Sequence, residues 1–360
     1  FYILPLLMKN WHKIVLGVLI NLPWFLWAFG VPDIAKLKGS RGPKVKIHTV
    51  VDQFEQEFWG RSMLIRLRNQ FLYSVHHEIR ARNVIQGQTG VLFEESYFKS
   101  TLGWDALDSA TVLEKFDRFK NWQQESGVPL TFVVVPGKTS VVAREHWPEK
   151  YAQEKPTVQN ANYHAFRELF SSDTTLRFLD YVRRFRENPK ALYTTYPRNS
   201  VHWSEAANIV MTQEIVEGIQ GIQVHIKDTT VGEPYGTEED IEESMNLIFD
   251  LEDDPSVHFS RRWDSIAVPP KVLIIGDSYA WGLLRAGLLN HAAIGSQFWY
   301  YNRTIHGPQV QQQGAHLRKY YAWESEDEFL TTMSGFDQII WVVVESNLKK
   351  FPFEIEYFKK

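Results

Sequence analysis

The sequence contains no cysteine in its 360 residues. This absence excludes disulfide bonds, thiolate metal sites and a cysteine nucleophile, but it does not decide the compartment, because many exported bacterial proteins also lack cysteine. An excess of positive charge is missing too, since the formal net charge is −4 and the isoelectric point is about 6.3. The composition therefore gives no reason to expect a nucleic-acid partner.

Motifs for common cofactors are also absent. The sequence has no glycine-rich phosphate loop, no His-x-x-x-His pair and no calcium-loop spacing. Residues 238–254 carry nine acidic side chains, but Ile241, Met245 and Ile248 recur at helical spacing, which predicts a helix with its acidic residues on the solvated face. We therefore expect neither a metal ion nor another cofactor.

The apolar residues predict one large α/β domain, since 44% hydrophobic content over this length can fill a single core. Apolar runs predict buried strands with helices between them: strands 130–135, 272–276 and 339–344, and helices 107–126, 160–170 and 204–219. This alternation predicts a mostly parallel sheet with helices on both faces. The aromatic share of 14% is high, and rings outside the core can stack on sugars or lie at a membrane interface.

An uncharged stretch of eighteen residues, 14–31, approaches the length of a bilayer crossing. Trp24 and Trp27 lie toward its outer end, and no small-x-small cleavage site follows Phe29, which favours an uncleaved anchor over a signal peptide. Basic residues flank both ends, so charge does not orient the segment.

The chain is thus divided into four parts: a short N-terminal segment (1–13), a transmembrane anchor (14–31), a juxtamembrane link with an amphipathic helix (32–80) and a large α/β domain (81–360). The amphipathic helix follows from apolar residues at three- and four-residue steps between positions 50 and 75. Its apolar face packs on the core or docks a partner.

Ser278 is a candidate nucleophile. Residues 272–279 read Val-Leu-Ile-Ile-Gly-Asp-Ser-Tyr, which predicts a strand, a tight turn and a helix start at Ser278. There, unpaired backbone N–H groups and the helix dipole could stabilise negative charge on a bound carbonyl oxygen. Gly-Asp-Ser also suits an ordinary turn in which Asp or Ser caps the helix.

His202 is the candidate base for this serine. It precedes Trp203 and a helix predicted to begin near Ser204. Histidine is the side chain whose unperturbed pKa suits a base near neutrality. A histidine beside a tryptophan is also typical of a packed or surface position.

Taken together and in order, four motifs resemble the SGNH-hydrolase-like proteins of alginate and related exopolysaccharide O-acetylation: Pro136-Gly137-Lys138, His202-Trp203, Gly276-Asp277-Ser278 and Val342–Asn347. The resemblance covers most of residues 54–351, including the segment Gly87–Phe93. It implies an SGNH-like fold for 81–360, with Ser278 as nucleophile and His202 as base.

One position departs from the family pattern. The family usually carries Asp two residues before the His, where this chain has Ser200, and counting three back, as in other SGNH enzymes, gives Asn199. Neither can hold the imidazole as a carboxylate does. Three hypotheses remain: another acidic residue replaces it, with Glu345 the first choice; a slow Ser278–His202 dyad operates with Ser200 or Asn199 orienting the ring; or catalysis is lost and polysaccharide binding remains.

Four residues are candidates for the substrate groove: Lys138, Tyr279, Asn302 and Arg303. Lys138 follows a strand where the family has a lysine, although it could instead cap a turn or pair with a carboxylate. Arg303 would suit an anionic sugar, and Asn302 could donate to an oxyanion.

The resemblance implies an O-acetyltransferase that moves an acetyl group through an acyl-enzyme onto an extracytoplasmic polysaccharide. Its expected partners are that polysaccharide and a multi-pass membrane-bound O-acyltransferase that supplies the acetyl group. The catalytic domain would lie in the periplasm or at the cell surface, held by a single-pass anchor. A polysaccharide O-acetylesterase and a non-catalytic binding or scaffold subunit are the alternatives.

Overall fold

The computed structural model describes residues 61–156, 158–188, 195–265, 267–307, 319–320 and 325–353. The predicted N-terminal segment, anchor and first part of the link lie outside the described residues. Within the described ranges, no helix is both long enough and apolar enough to cross a membrane. The described residues from Met63 onward form one compact unit.

The helices include those predicted at 107–126, 160–170 and 204–219, each within two residues of its predicted bounds. In chain order they are α1 (Arg61–His76), α2 (Glu95–Thr101), α3 (Ser109–Ser126), α4 (Lys138–Val141), α5 (Glu149–Ala152), α6 (Ala161–Ser172), α7 (Tyr181–Glu187), α8 (Glu205–Glu217), α9 (Asp240–Met245), α10 (Trp281–Arg285), α11 (Leu288–His291) and α12 (Glu326–Met333). Side-chain caps explain two of the starts: Asp108 accepts from the Thr111 N–H at 2.9 Å, and Ser204 accepts from the Ala207 N–H at 3.1 Å.

The strands form one main sheet and two small ones. They are β1 (Val84–Gln86), β2 (Leu92–Glu94), β3 (Leu130–Val135), β4 (Arg177–Asp180), β5 (Ile222–Gly232), β6 (Ser256–Ser265), β7 (Val272–Gly276), β8 (Gln297–Tyr300), β9 (Thr304–His306), β10 (Lys319–Tyr320) and β11 (Gln338–Val344). The main sheet has the order β10-β9-β8-β7-β11-β3-β4. From β8 to β4 every pair is parallel, and β9 and β10 add two antiparallel pairs.

The central strand β11 shows why helices cover both faces. Ile340, Val342 and Val344 belong to one apolar layer, and Ile339, Trp341 and Val343 belong to the other. A strand buried on both faces must be covered on both. The predicted mostly parallel sheet with flanking helices is thereby confirmed.

Two strands that do not belong to the main sheet lie between α8 and β7 in the chain. Strands β5 and β6 pair as an antiparallel ribbon, and the loop between them, residues 233–255, contains α9. The N–H groups of Ile241 and Glu242 donate to the Asn199 carbonyl at 3.2 and 3.3 Å. This ribbon loop therefore returns to the chain just before His202.

Candidate active site

Ser278 lies in a tight turn at the carboxyl end of β7. A Cβ on Gly276 would lie 2.6 Å from the Val342 carbonyl oxygen and 2.8 Å from the Ala280 Cβ, so only glycine allows this close approach. Ser278 then begins a single 3-10 turn that leads into α10, and it is half-buried. The helix predicted from 280 to 289 is interrupted at Gly287, whose φ is +98°.

Asp277 holds the turn together. It is fully buried, and its carboxylate accepts hydrogen bonds from the Tyr279 N–H at 3.1 Å, the Val344 N–H at 2.8 Å and the Asn347 amide at 3.0 Å. Burial raises the pKa of Asp277 above its ordinary value, against the lowering effect of these donors. Capping of the turn is thus done by Asp277, and Ser278 is not needed for it.

His202 lies beside the same turn. Its ring packs on the Tyr279 ring with centroids 4.8 Å apart, and its Nδ1 is hydrogen-bonded to the carboxylate of Asp240. Its Nε2 is buried and has no hydrogen-bond partner in the part of the chain that the structure describes. An imidazole whose Nδ1–H donates to a carboxylate presents a lone pair on Nε2, which is the tautomer that a general base requires.

Asp240 is well placed to support that imidazole. Burial acts to raise its pKa, but the hydrogen bond and charge of His202 and the hydrogen bonds from Val201 and Ser200 hold the pKa of this carboxyl below its ordinary value. The Val201 N–H donates to Asp240 Oδ1 at 2.8 Å. Asp240 is therefore ionised near neutrality and can stabilise an imidazolium.

The expectation that Glu345 orients His202 is corrected by this geometry. Glu345 is buried after β11, and its carboxylate accepts from the Gly137 N–H at 3.0 Å and from Arg186 at 3.2 Å. Burial raises the pKa of Glu345 to about 7. A buried carboxylate needs hydrogen-bond donors, and one donor of Glu345 is the N–H of Gly137. Glu345 therefore connects the segment after β11 to the segment after β3.

Ser200 and Asn199 do not orient the ring either. The Ser200 hydroxyl donates to the Thr237 carbonyl at 2.6 Å and accepts from the His202 backbone N–H at 2.9 Å. The Asn199 amide donates to Glu242 at 3.0 Å. Ser200 bonds main-chain groups and Asn199 bonds a carboxylate of the ribbon loop, so this geometry gives no support to a dyad in which either side chain orients the ring.

Lys138 is buried and does not line a groove, contrary to expectation. Only 1% of its surface is exposed, and its ammonium donates to the carbonyls of Pro197, Arg198 and Ser200 at 2.7, 2.8 and 2.8 Å. Burial lowers the pKa of Lys138 to about 7. Since all three donors are used, Lys138 tethers the segment that leads to His202.

Two of the other candidates for the groove are also buried. The Tyr279 hydroxyl donates to the Val201 carbonyl at 2.9 Å, and burial raises the pKa of this phenol well above its ordinary value. The Asn302 amide donates to the carbonyls of Pro352 and Phe353 at 3.3 Å each, so it is not placed as an oxyanion donor. Arg303 is exposed.

Asp240 is the site residue that the sequence reasoning missed. The acidic stretch 238–254 was expected on a solvated face, yet Glu238 is fully buried and Glu242 is 6% exposed. The sequence did contain one indication of this position. The apolar residues that begin at Ile241 predict a helix packed against the core, and Asp240, as the first residue of that helix, then lies at the edge of the core. Among the described residues, no group of three or more His, Asp and Glu side chains could hold a metal ion.

Comparison with known protein families gives one match. Residues 84–246 match the family described as the SGNH hydrolase-like domain, acetyltransferase AlgX. This stretch contains His202 and Asp240 and ends before Ser278. No curated protein sequence matches the chain. The family match agrees with the resemblance over residues 84–246, which contain two of the four motifs, Pro136-Gly137-Lys138 and His202-Trp203.

Solved structures that are similar to this chain include two proteins from Pseudomonas species and one from Bacillus cereus. The O-acetyltransferase domain of Pseudomonas putida AlgJ has 19% identity and a TM-score of 0.43, covering 74% of this chain and 92% of that chain. Bacillus cereus PatB1 has 10% identity and a TM-score of 0.45, covering 76% and 99%. Pseudomonas aeruginosa AlgX has 13% identity and a TM-score of 0.42, covering 74% and 67%.

Proposed function

We propose that this protein, whose residues 84–246 match the SGNH hydrolase-like domain of acetyltransferase AlgX, is a polysaccharide O-acetyltransferase with Ser278, His202 and Asp240 as its catalytic triad. One observation supports this most: Asp240 bonds Nδ1 of His202, Nε2 has no partner among the described residues, and the imidazole packs on Tyr279, the residue after Ser278. The motif before His202 has no carboxylate in this chain, and in the proposed triad Asp240 of the ribbon loop supplies one.

In the proposed first half-reaction, His202 Nε2 takes the proton of the Ser278 hydroxyl as Oγ attacks the acetyl carbonyl carbon. The oxyanion that forms is stabilised by the Ser278 backbone N–H, because the N–H groups of Tyr279 and Ala280 already donate to Asp277. When the intermediate collapses, the bond to the donor's leaving oxygen breaks, and that oxygen takes the proton from His202. Ser278 then carries the acetyl ester.

In the second half-reaction, a sugar hydroxyl replaces the donor. His202 takes its proton, the sugar oxygen attacks the acetyl carbon, and the Ser278–acetyl bond breaks as the proton returns to Oγ. Asp240 remains ionised throughout and stabilises the imidazolium. Water as the acceptor would give an esterase, so the site chemistry is shared by both reactions.

We further propose the arrangement implied by the resemblance. Residues 14–31 act as a membrane anchor, and the catalytic domain lies outside the cytoplasm beside a multi-pass acyltransferase that supplies acetyl groups. The uncharged length of this segment and its tryptophans support the proposal.

The acyl-enzyme is the sharpest test. After incubation with an activated acetyl ester, intact-mass spectrometry should show one added acetyl group on the parent and none on Ser278→Ala. Ser260→Ala is the matched control, because Ser260 is exposed on β6 and bonded to Asp228. Equal labelling of Ser278→Ala and the parent would rule out Ser278 as nucleophile, and a parent that never labels would favour the binding subunit.

A further inference from the structure

One arginine, Arg285, bonds a residue that shortly follows His202 and a residue that shortly precedes Asp240. Arg285 is the last residue of α10, the helix that follows Ser278. Its Nε donates to Glu205 Oε1 at 2.5 Å, and a terminal guanidinium nitrogen donates to the Thr237 hydroxyl at 3.1 Å. Glu205 begins α8, shortly after His202, and Thr237 shortly precedes Asp240. A single guanidinium therefore joins three separate segments of the site.

The carboxylate of Glu205 is shielded from solvent, which strengthens its dependence on this partner. The Glu205 side chain is 6% exposed, whereas that of Arg285 is 32% exposed. The Asn208 amide donates to Glu205 Oε2 at 3.3 Å. Breaking such a pair by removing one partner leaves a buried charge without compensation.

The chain near Thr237 passes very close to the same carboxylate. Gly236 has a φ of +70°, and a Cβ there would lie 2.5 Å from Glu205 Oε1, so this approach requires glycine. Two residues further on, the fully buried Glu238 accepts from the Glu205 N–H at 2.9 Å and from the Tyr235 N–H at 3.1 Å. The ribbon loop is thereby fastened to the N-terminus of α8 just ahead of Asp240.

We propose that Arg285 and Glu205 are positioning residues, which set the placement of Ser278, His202 and Asp240 relative to one another. The inference rests on the proposed function, because it concerns the geometry of that site. Arginine suits the task since its planar guanidinium donates in two fixed directions, whereas lysine offers one point charge. Displacement of a reacting group by about 1 Å can cost about 10²-fold in rate.

The test compares Arg285→Lys and Thr237→Val with Arg261→Ala. Arg261 is the matched control because it donates to the carbonyls of Ala286 and Arg285 at 2.9 and 3.0 Å and so contacts the same helix end from β6. In full-length protein, Arg285→Lys should lower kcat for hydrolysis of an acetyl ester by about 10- to 100-fold with little change in KM. Thr237→Val should give a smaller loss, and Arg261→Ala should match the parent.

A second readout follows the imidazole directly. The Nδ1–H of His202 that donates to Asp240 should give a downfield proton NMR resonance, assigned by its loss in Asp240→Asn. Arg285→Lys should shift or broaden this resonance, and Arg261→Ala should leave it unchanged. A role confined to stability would lower the unfolding temperature and leave both kcat and the resonance as in the parent.

The two proposals fail in different ways. If the parent hydrolyses the ester through Ser278 and Arg285→Lys retains parental kcat and resonance, the positioning role is overturned while the proposed function stands. If the parent shows no Ser278-dependent reaction, the proposed function fails, and the resonance alone decides the positioning role: a shift in Arg285→Lys supports it, and an unchanged signal overturns it.

Discussion

At the scale of single residues, a carboxylate absent from its usual sequence position is present in the folded site. Ser200 stands where the resemblance leads us to expect an aspartate, and Asp240 bonds His202 from a later segment of the chain. Sequence reasoning could identify Ser278 and His202 as candidates because each lies in a short local motif. It could not identify Asp240, because the contact depends on how residues 233–255 fold back.

Asp240→Asn is expected to lower kcat for acetyl ester hydrolysis by about 10³- to 10⁴-fold, because an amide favours the wrong tautomer of the imidazole. Glu345→Gln is the matched control, since Glu345 is also buried but bonds Gly137 and Arg186. Steady-state kinetics at neutral pH would measure both. A larger loss in Glu345→Gln than in Asp240→Asn would contradict the assignment of Asp240.

Ser200→Asp should have opposite effects in two backgrounds. In the parent it places a second carboxylate close to Asp240, which already accepts from the N–H of the next residue, Val201, so like charges should lower the rate. In Asp240→Asn it returns a carboxylate to the position that the family uses and should recover part of the lost kcat. The idea fails if the substitution raises the rate in the parent or lowers it further in Asp240→Asn.

Glu345 should make stability depend on pH. Its folded pKa is raised from 4.5 to about 7, so the native state holds a proton that the unfolded chain releases. The resulting stabilisation is present below pH 4.5 and is lost as pH rises to about 7. The difference should be about 3 kcal/mol.

Urea unfolding of the parent and of Glu345→Gln, at several pH values, would measure this dependence. As the pH rises from 4.5 to about 7, the free energy of unfolding of the parent should fall by about 3 kcal/mol relative to that of Glu345→Gln. This change with pH is the test, and the difference between the two proteins at any single pH is not. Parallel curves for the two proteins would show that Glu345 titrates alike in the folded and unfolded states.

At the scale of elements, the strands with a regular local sequence pattern were predicted correctly, whereas the burial of charged side chains, which depends on tertiary contacts, was not. The strands β3, β7 and β11 were predictable because each is an apolar run bounded by turn residues. The acidic stretch was misread because hydropathy alone assigns carboxylates to solvent, whereas Glu238 and Glu242 are buried against backbone and side-chain donors. Lys138 was expected in the groove because the resembling family has a lysine at a similar place, whereas three backbone carbonyls allow its burial here.

Helix α1 supports the ribbon loop directly. The Asn69 amide donates to the Met245 carbonyl at 2.8 Å, and Gln70 accepts from the N–H groups of Ile248 and Phe249 at 3.1 Å each. Because Met245 ends α9, these bonds hold the helix that begins at Asp240. Helix α1 therefore contacts the ribbon loop that carries Asp240.

Asn69→Ala should weaken this support. Removing the amide leaves a buried carbonyl unpaired, which costs about 1–3 kcal/mol, and should raise hydrogen exchange of residues 240–249 while lowering kcat modestly. Arg68→Ala is the control, because Arg68 is exposed on the same helix. Unchanged exchange across 240–249 in Asn69→Ala would show that α1 does not hold the loop.

At the scale of the whole molecule, the α/β class could be predicted because strand and helix patterns alternate along the chain. Two features could not: the antiparallel edge of β9 and β10, and the β5–β6 ribbon. Neither has a local pattern that fixes where it pairs. The ribbon matters most, because it delivers Asp240 across a long stretch of sequence to His202.

The proposed anchor predicts that chemistry and cellular function can be separated. A chain that starts after Lys38 keeps α1 and the whole described unit, so it should fold and still accept an acetyl group on Ser278. Without residues 14–31 it would no longer be held beside the membrane partner that supplies acetyl groups, so polysaccharide acetylation in cells should fall sharply. Cell fractionation, intact-mass labelling and acetate release from the polymer would measure location, chemistry and function in turn.

Full-length Ser278→Ala provides the complementary control, because it should remain in the membrane fraction yet support no acetylation. Loss of labelling in the truncated chain would mean that residues 1–38 contribute to the fold of the site. Full polymer acetylation by the truncated chain would show that anchoring is not required, and the proposed membrane partner would then have to deliver its acetyl group without a tethered acceptor. Because tethering acts through local concentration, overexpression of the truncated chain should recover part of the activity if anchoring is its only defect.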